Sequence, residues 1–195
     1  MKVEYEATFT NIDKDEIRKT LLKAGAQLVK TEFLQRRTVF HLPVGNEISG
    51  GWVRVRDEGD KITMSVKVVD GDGIKDQKES CLTVDNYEEA ETFLQTIGCY
   101  KKSYQETKRE LWVIDGVEIT IDTWPFLPPF IEVEGQTEEV VKSVSLKLGM
   151  AWAKAKFCAV DVSYASIWSY QQLSGTLMFI DPLQRLMVAE RRRRQ

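Results

Sequence analysis

The sequence predicts an α+β protein in which a closed β-sheet surrounds a polar interior and helices pack outside it. Three segments repeat apolar residues at helical spacing, and several segments between them alternate charged with apolar residues. Side chains at alternate positions of a strand point to opposite faces of its sheet. If the helices cover the apolar faces, the charged faces must point toward each other, as they do inside a barrel.

The three helical segments also carry start and stop signals. Asp13, Asp85 and Thr137 each precede one segment, and a short polar side chain at that position caps the first turn. Gly98 and Gly149 follow the second and third segments, and glycine commonly ends a helix. We therefore predict three helices that begin after these capping residues.

Five strand-like segments carry charged or polar side chains on one face and apolar side chains on the other. The charged or polar faces carry Glu4, Glu6 and Thr8; Trp52, Arg54 and Arg56; Ser65 and Lys67; Glu118, Thr120 and Asp122; and Glu132 and Glu134. Unpaired charges inside a barrel are very costly. Two interpretations follow: the acids and bases neutralise each other in an ion-pair network, or the carboxylates hold divalent cations while the arginines bind a polyanion.

Length and composition indicate one soluble globular domain. The 195 residues suffice for a single substantial domain, which we place at 1–175, with a helical extension and a basic tail at 176–195. A net charge of −3 provides no basic field that would favour nucleic acid as a partner. Cys81, Cys99 and Cys158 contain no CxxC pair, so neither a disulfide framework nor a zinc site is expected.

Two absences narrow the possible function further. His41 is the only histidine, which nearly excludes catalytic triads and histidine-rich metal sites. No apolar run reaches the length of a membrane span, and the N-terminal segment is not a signal peptide. We therefore expect a cytoplasmic protein without a membrane partner, and the sequence leaves its oligomeric state open between monomer and homodimer.

The order of several short motifs resembles that of a known family. VEYEATF, GWVRVR, MSVKVV, TKREL, VEITID, PFLPPFIEVEG and VSYASI follow one another as they do in the CYTH family. These are the triphosphate tunnel metalloenzymes, which include class IV adenylate cyclases, thiamine triphosphatases and inorganic triphosphatases. The resemblance covers roughly residues 1 to 168. It implies a closed antiparallel barrel of eight strands, a divalent metal, and a linear triphosphate or nucleoside triphosphate as a small-molecule substrate.

The resemblance also implies a role for the charged positions of the predicted interior. The catalytic residues would be Glu4, Glu6, Glu132 and Glu134. The ligands of Mg²⁺ or Mn²⁺, which prefer oxygen donors, would be Glu4, Glu6, Asp122, Glu132 and Glu134. The triphosphate would be bound by Arg54, Arg56, Lys67, Arg109, Arg37 and Thr8. Arg37 stands where many members carry an acidic residue, and Thr8 stands where the ExExK motif has its lysine.

Three functions are compatible with this resemblance. Metal-dependent hydrolysis of inorganic triphosphate, thiamine triphosphate or a nucleoside triphosphate is the first, because it needs no pocket that orients a nucleoside. A class IV adenylate cyclase, which makes cyclic AMP from ATP, is the second. A non-catalytic module that binds polyphosphate or nucleotides is the third, suggested by Thr8. Trp124 is expected either to stack on a substrate ring or, more commonly for such residues, to pack beneath the third helix.

Overall fold

Residues 1–158 are described by the computed structural model, so the predicted extension at 176–195 lies outside the described residues. The α-helices are α1 (Lys14–Ala24), α2 (Tyr87–Thr96) and α3 (Glu138–Lys147). The strands are β1 (Lys2–Val3), β2 (Tyr5–Thr10), β3 (Gln27–His41), β4 (Gly51–Asp57), β5 (Ile62–Val69), β6 (Gln77–Val84), β7 (Tyr100–Ile114), β8 (Val117–Thr123) and β9 (Phe130–Gly135).

The nine strands form one antiparallel sheet that nearly closes into a barrel. Their order is β1-β6-β5-β4-β3-β7-β8-β9-β2, and only Glu4 separates β1 from β2 along the chain. Because β1 pairs with β6 and β2 pairs with β9, this N-terminal segment brings the two ends of the sheet together. The predicted α+β barrel is confirmed. The prediction of eight strands and full closure is wrong, because the first strand is interrupted at Glu4 and the sheet contains nine strands.

Helices cover the outer face of the sheet, as the sequence predicts. One apolar core lies between α1, α3 and the wall formed by β2, β8 and β9; its buried members include Ala7, Phe9, Leu21, Ile119, Ile121, Ile131, Val133 and Val141. A second core lies beneath α2 and includes Phe40, Val53, Val55, Tyr87 and Leu94. The apolar residues of the alternating strands therefore face outward onto helices, which leaves the charged residues to face inward.

The helix caps agree with the sequence at two of the three starts. The Asp13 carboxylate accepts hydrogen bonds from the first turn of α1, and the Thr137 hydroxyl accepts one from the Val140 amide. The third start corrects the prediction: Asn86 rather than Asp85 caps α2, because Asn86 is extended and its side chain accepts a hydrogen bond of 2.9 Å from the Glu89 amide. None of the helices in residues 1–158 has the length and apolar character needed to cross a membrane.

Candidate active site

The inward faces of the strands line one cavity of about 770 Å³. This volume lies within the range of small-molecule sites in proteins. The sequence-predicted site residues that line it are Glu4, Glu6, Arg37, Arg54, Arg56, Lys67, Arg109, Glu132 and Glu134. Asp122 is fully buried behind this surface and Thr8 is also buried, and neither is among the lining residues. The strand register thus collects most of the predicted side chains in a single space.

Carboxylates gather where β2, β8 and β9 lie side by side. Glu134 on β9 lies directly opposite Glu6 on β2 and, on its other side, directly opposite Glu118 on β8. Like charges in such positions repel. Oxygens of Glu4, Glu6 and Glu134 lie within 4.8 Å of one another; we call these three residues the acidic cluster. Burial, followed by the Glu132 and Glu4 carboxylates, raises the pKa of Glu6 well above its usual value.

Lys67 from β5 forms an ion pair with the acidic cluster. Its Nζ lies 2.6 Å from Oε2 of Glu4. Burial alone would lower the pKa of Lys67, but the carboxylates of Glu4 and Glu6 outweigh it and raise that pKa. The pKa of Glu134 is raised to about 7, first by desolvation and then by the Glu4 carboxylate, although its side chain reaches solvent. Three carboxylates therefore share one lysine, and their crowding contributes to the raised pKa of Glu6 and Glu134.

Arg109 holds the other two predicted metal ligands. Its Nε and one terminal nitrogen donate to the two Asp122 oxygens at 2.8 and 2.9 Å, and that same terminal nitrogen donates to Glu132 at 2.6 Å. The Thr120 hydroxyl donates to Asp122 at 2.6 Å. Although burial opposes it, contact with Asp122 and Glu132 raises the pKa of Arg109. Of the five predicted metal ligands, Glu4, Glu6 and Glu134 form the acidic cluster, whereas Asp122 and Glu132 share Arg109, which contacts Asp122 through two hydrogen bonds and Glu132 through one.

Three arginines form the wall opposite the acidic cluster. Strands β3 and β4 lie halfway around the sheet from β2 and β9, and they carry Arg37, Arg54 and Arg56, which we call the arginine cluster. Arg54 pairs with Glu79 at 3.1 Å, and Arg56 pairs with Glu58 at 2.6 Å. Burial, followed by the charges of Arg54 and Arg109, lowers the pKa of Arg56 to about 10. The cavity therefore has an acidic wall and a basic wall.

Arg37 lies in a corner of neutral polar and aromatic side chains. One of its terminal nitrogens donates to Oε1 of Gln35 at 2.7 Å and to the Thr107 hydroxyl at 2.8 Å. Its guanidinium carbon lies 4.6 Å from the centre of the Trp124 ring. Trp124 lines the cavity, so the expectation that it packs beneath the third helix is wrong. It directly follows β8 and has the same parity as Glu118, Thr120 and Asp122, the charged or polar positions of that strand.

Four site residues escape sequence analysis. Glu79 lies on β6, which carries polar residues on both faces and is largely exposed from Ser80 to Thr83, so its alternation gives no clear signal. Glu58 lies just after β4, where periodicity has ended. Gln35 and Thr107 sit opposite each other on β3 and β7. Their alternation with Arg37 and Arg109 could have placed both side chains inside the barrel.

Thr8 is held through its backbone rather than presented to the cavity. It lies opposite Glu132 in the β2–β9 ladder. On its other side, its amide donates to the Lys156 carbonyl at 3.0 Å and its carbonyl accepts from the Lys156 amide at 2.9 Å. Because it is buried between two strand segments, a phosphate contact by Thr8 stays a prediction from the family resemblance.

The raised pKa of Glu134 leads to a pH prediction. A carboxyl group whose pKa is raised by folding, here from 4.5 to about 7, stabilises the fold fully below pH 4.5, and that contribution is lost as the pH rises through 7. In metal-free buffer, the wild-type protein should therefore lose stability relative to Glu134→Gln across this interval. Melting temperatures of both proteins measured side by side test this, and a difference independent of pH would contradict it.

Comparisons with known proteins support the fold. No protein-family model matches the sequence, and no curated protein matches it. Among solved structures, a candidate adenylate cyclase from Vibrio parahaemolyticus superposes with a TM-score of 0.71 at 12% identity, over 84% of this chain and 98% of that one. The PH1012 protein from Pyrococcus horikoshii OT3 gives a TM-score of 0.67 at 16% identity, over 80% and 96% of the two chains.

A third similar structure is HpAC1 from Hippeastrum, a candidate adenylyl cyclase with a dominant triphosphatase activity. Its TM-score is 0.56 at 12% identity, over 84% of this chain and 95% of that one. At identities this low, these superpositions show a shared fold and nothing about function. Membership of the CYTH family therefore stays a prediction from the sequence motifs.

Proposed function

We propose that this protein hydrolyses a linear triphosphate, bound with a divalent metal ion, inside the barrel. The observation that carries the proposal is the placement of the acidic cluster and the arginine cluster on opposite walls of one cavity. A purely structural ion-pair network would interleave its charges so that each has a partner. Lys67, Arg54, Arg56 and Arg109 do have carboxylate partners. Like charges nevertheless stand directly opposite each other on both walls, Glu6 with Glu134 and Arg37 with Arg56, which favours ligands of opposite charge.

The acidic cluster suits a hard divalent cation. Glu4, Glu6 and Glu134 offer only carboxylate oxygens, the donors that Mg²⁺ and Mn²⁺ prefer, and the spacing of these oxygens lets one ion contact all three. A bound ion would neutralise charge on the phosphates and lower the pKa of an attached water. Glu132 would support this site indirectly, since it lies near enough to raise the pKa of Glu6.

The arginine cluster suits a chain of phosphates. Arg54 and Arg56 are the cavity arginines closest to the family pattern, and the Nε atom of each is buried without a hydrogen-bond acceptor in residues 1–158. A guanidinium presents parallel donors that match two phosphate oxygens. An entering phosphate would meet these donors and offset the mutual repulsion of the arginines.

The proposed reaction is a simple displacement by water. The water oxygen forms a bond to the terminal phosphorus, the bridging P–O bond breaks, and diphosphate and phosphate leave together with the proton from the water. The arginines would bind the chain and stabilise the charge that develops on its oxygens, and the barrel wall would hold the reacting groups in line. The dominant triphosphatase activity of HpAC1, which has the same fold, supports this choice over the alternatives.

A cyclase reaction is the second candidate, favoured by aromatic side chains in the same cavity. The His41 and Tyr100 rings stack with centroids 4.7 Å apart, and Trp52 also lines the cavity. Such rings can receive a nucleobase. The candidate adenylate cyclase from Vibrio parahaemolyticus shares the fold.

One substrate panel separates these functions. The purified full chain is incubated with tripolyphosphate, thiamine triphosphate or ATP in Mg²⁺ or Mn²⁺, and phosphate, thiamine diphosphate and cyclic AMP are measured. We expect phosphate release from at least one triphosphate, and its loss after chelation. Cyclic AMP from ATP would instead support the cyclase, and tight binding with no product would support the binding module.

A further inference from the structure

Arg37 differs from the other cations that the sequence assigns to the site. Lys67, Arg54, Arg56 and Arg109 each form an ion pair with a carboxylate. Arg37 is 4% exposed and lines the cavity, yet within residues 1–158 no carboxylate lies at ion-pair distance from it. A buried cation without a counter-charge is costly to the fold and indicates a ligand.

Two buried hydrogen-bond donors at Arg37 and Gln35 also have no acceptor in residues 1–158. Oε1 of Gln35 accepts from both Arg37 and the Thr107 hydroxyl, which fixes the orientation of the amide and makes its other end the Nε2 donor. That Nε2 atom and Nε of Arg37 are both buried, and neither has a partner in the described part of the chain. Two unsatisfied donors in one corner call for an acceptor, since buried donors are almost always paired.

A second positive charge lies directly across the ladder. Arg37 on β3 is opposite Arg56 on β4, so both side chains leave the sheet on the same face. Burial, followed by Arg54 and Arg56, lowers the pKa of Arg37 well below its usual value. An anion placed between Arg37 and Arg56 would relieve this repulsion.

We propose that Arg37 forms a separate subsite that binds one phosphoryl group. This would be the terminal group of the phosphate chain, and the group next to it would contact Arg56. Gln35 and Thr107 hold the guanidinium in place. The guanidinium already covers the near face of the Trp124 ring, so this corner suits a phosphoryl group rather than a flat ring. The assignment of a phosphate chain rests on the proposed function, whereas binding of a single oxyanion does not.

Thermal unfolding of the full chain in chelator tests the subsite without requiring catalysis. The probes are orthophosphate and tripolyphosphate, each added to the wild type, Arg37→Gln and Lys61→Gln. Lys61 supplies a matched loss of charge at the cavity surface, where it pairs with Glu58. Phosphate stabilises proteins generally, and an effect common to all three proteins cancels in the comparison.

We expect Arg37→Gln to melt no lower than the wild type without anion, because an unpaired buried charge has been removed. We expect it to lose the orthophosphate-dependent rise that the wild type and Lys61→Gln retain. Its affinity for tripolyphosphate should fall about 10- to 100-fold, as one lost charge-assisted hydrogen bond implies.

Three results would overturn the subsite. The first is an equal orthophosphate response in all three proteins, and the second is no response in the wild type. The third is an Arg37→Gln protein that melts lower without anion and keeps its response, which would make Arg37 a structural residue. This experiment uses neither metal nor turnover, so its result can be interpreted even if the hydrolase proposal fails.

Discussion

Replacing Glu6 with glutamine is expected to reduce metal-dependent phosphate release by at least about 100-fold. Removing even an outer partner of a metal site commonly costs 10- to 100-fold, and Glu6 is a candidate ligand of the acidic cluster. Glu6→Gln should fold normally, since burial and neighbouring carboxylates already raise the pKa of Glu6, and removing its charge relieves repulsion. Turnover of tripolyphosphate and the melting temperature are the two measurements.

The matched control for this change is Glu16→Gln, which removes one carboxylate from the exposed surface of α1. We expect wild-type turnover from it. If Glu6→Gln keeps its rate while remaining folded, the acidic cluster has no part in the reaction. If it fails to fold, the carboxylate is structural.

Replacing Arg54 with alanine is expected to lower kcat/KM by about 30- to 1,000-fold. This corresponds to the roughly 2–4 kcal/mol lost when one partner of a buried charged contact is truncated. Because Arg54 would contact the phosphates before and during the reaction, KM should rise and kcat should fall together. Steady-state kinetics with tripolyphosphate measure both constants.

A second variant separates lost binding from a damaged fold. Arg54→Ala leaves Glu79 without its ion-pair partner, so the single variant should also be destabilised. Adding Glu79→Gln should restore the melting temperature without restoring kcat/KM. Wild-type kinetics from Arg54→Ala would show that its side chain is not part of the phosphate site.

The sequence predicted the fold because five of its strand segments have one apolar face and one charged or polar face. In residues 117–122 and 131–134, Val and Ile alternate with acids or threonine, and helices pack on the Val and Ile side. The number of strands was harder to predict from the sequence. The N-terminal segment breaks at Glu4 because the part before it pairs with β6 and the part after it pairs with β9. Which strand a segment pairs with depends on tertiary geometry.

Site residues could be predicted where charged residues alternate with apolar ones along a strand, and could not be predicted elsewhere. Glu6, Glu134, Arg54 and Arg56 lie at regular positions, and all four line the cavity. The partner of each arginine could not be predicted, because Glu58 lies after the end of its strand and the sequence around Glu79 is polar on both faces. Sequence can place a charge on a face, but which charges meet depends on the register and shear of the barrel.

Isothermal titration of the full chain with tripolyphosphate, in Mn²⁺ and again in chelator, tests most directly whether the two walls bind one ligand together. Binding sites for a metal and its phosphate ligand that share a cavity must be energetically coupled, and the coupling is reciprocal. We expect one tripolyphosphate bound per chain, with at least about tenfold higher affinity in Mn²⁺ than in chelator. Equal affinity in both buffers, or no binding in either, would contradict the assignment of this cavity as a metal–triphosphate site.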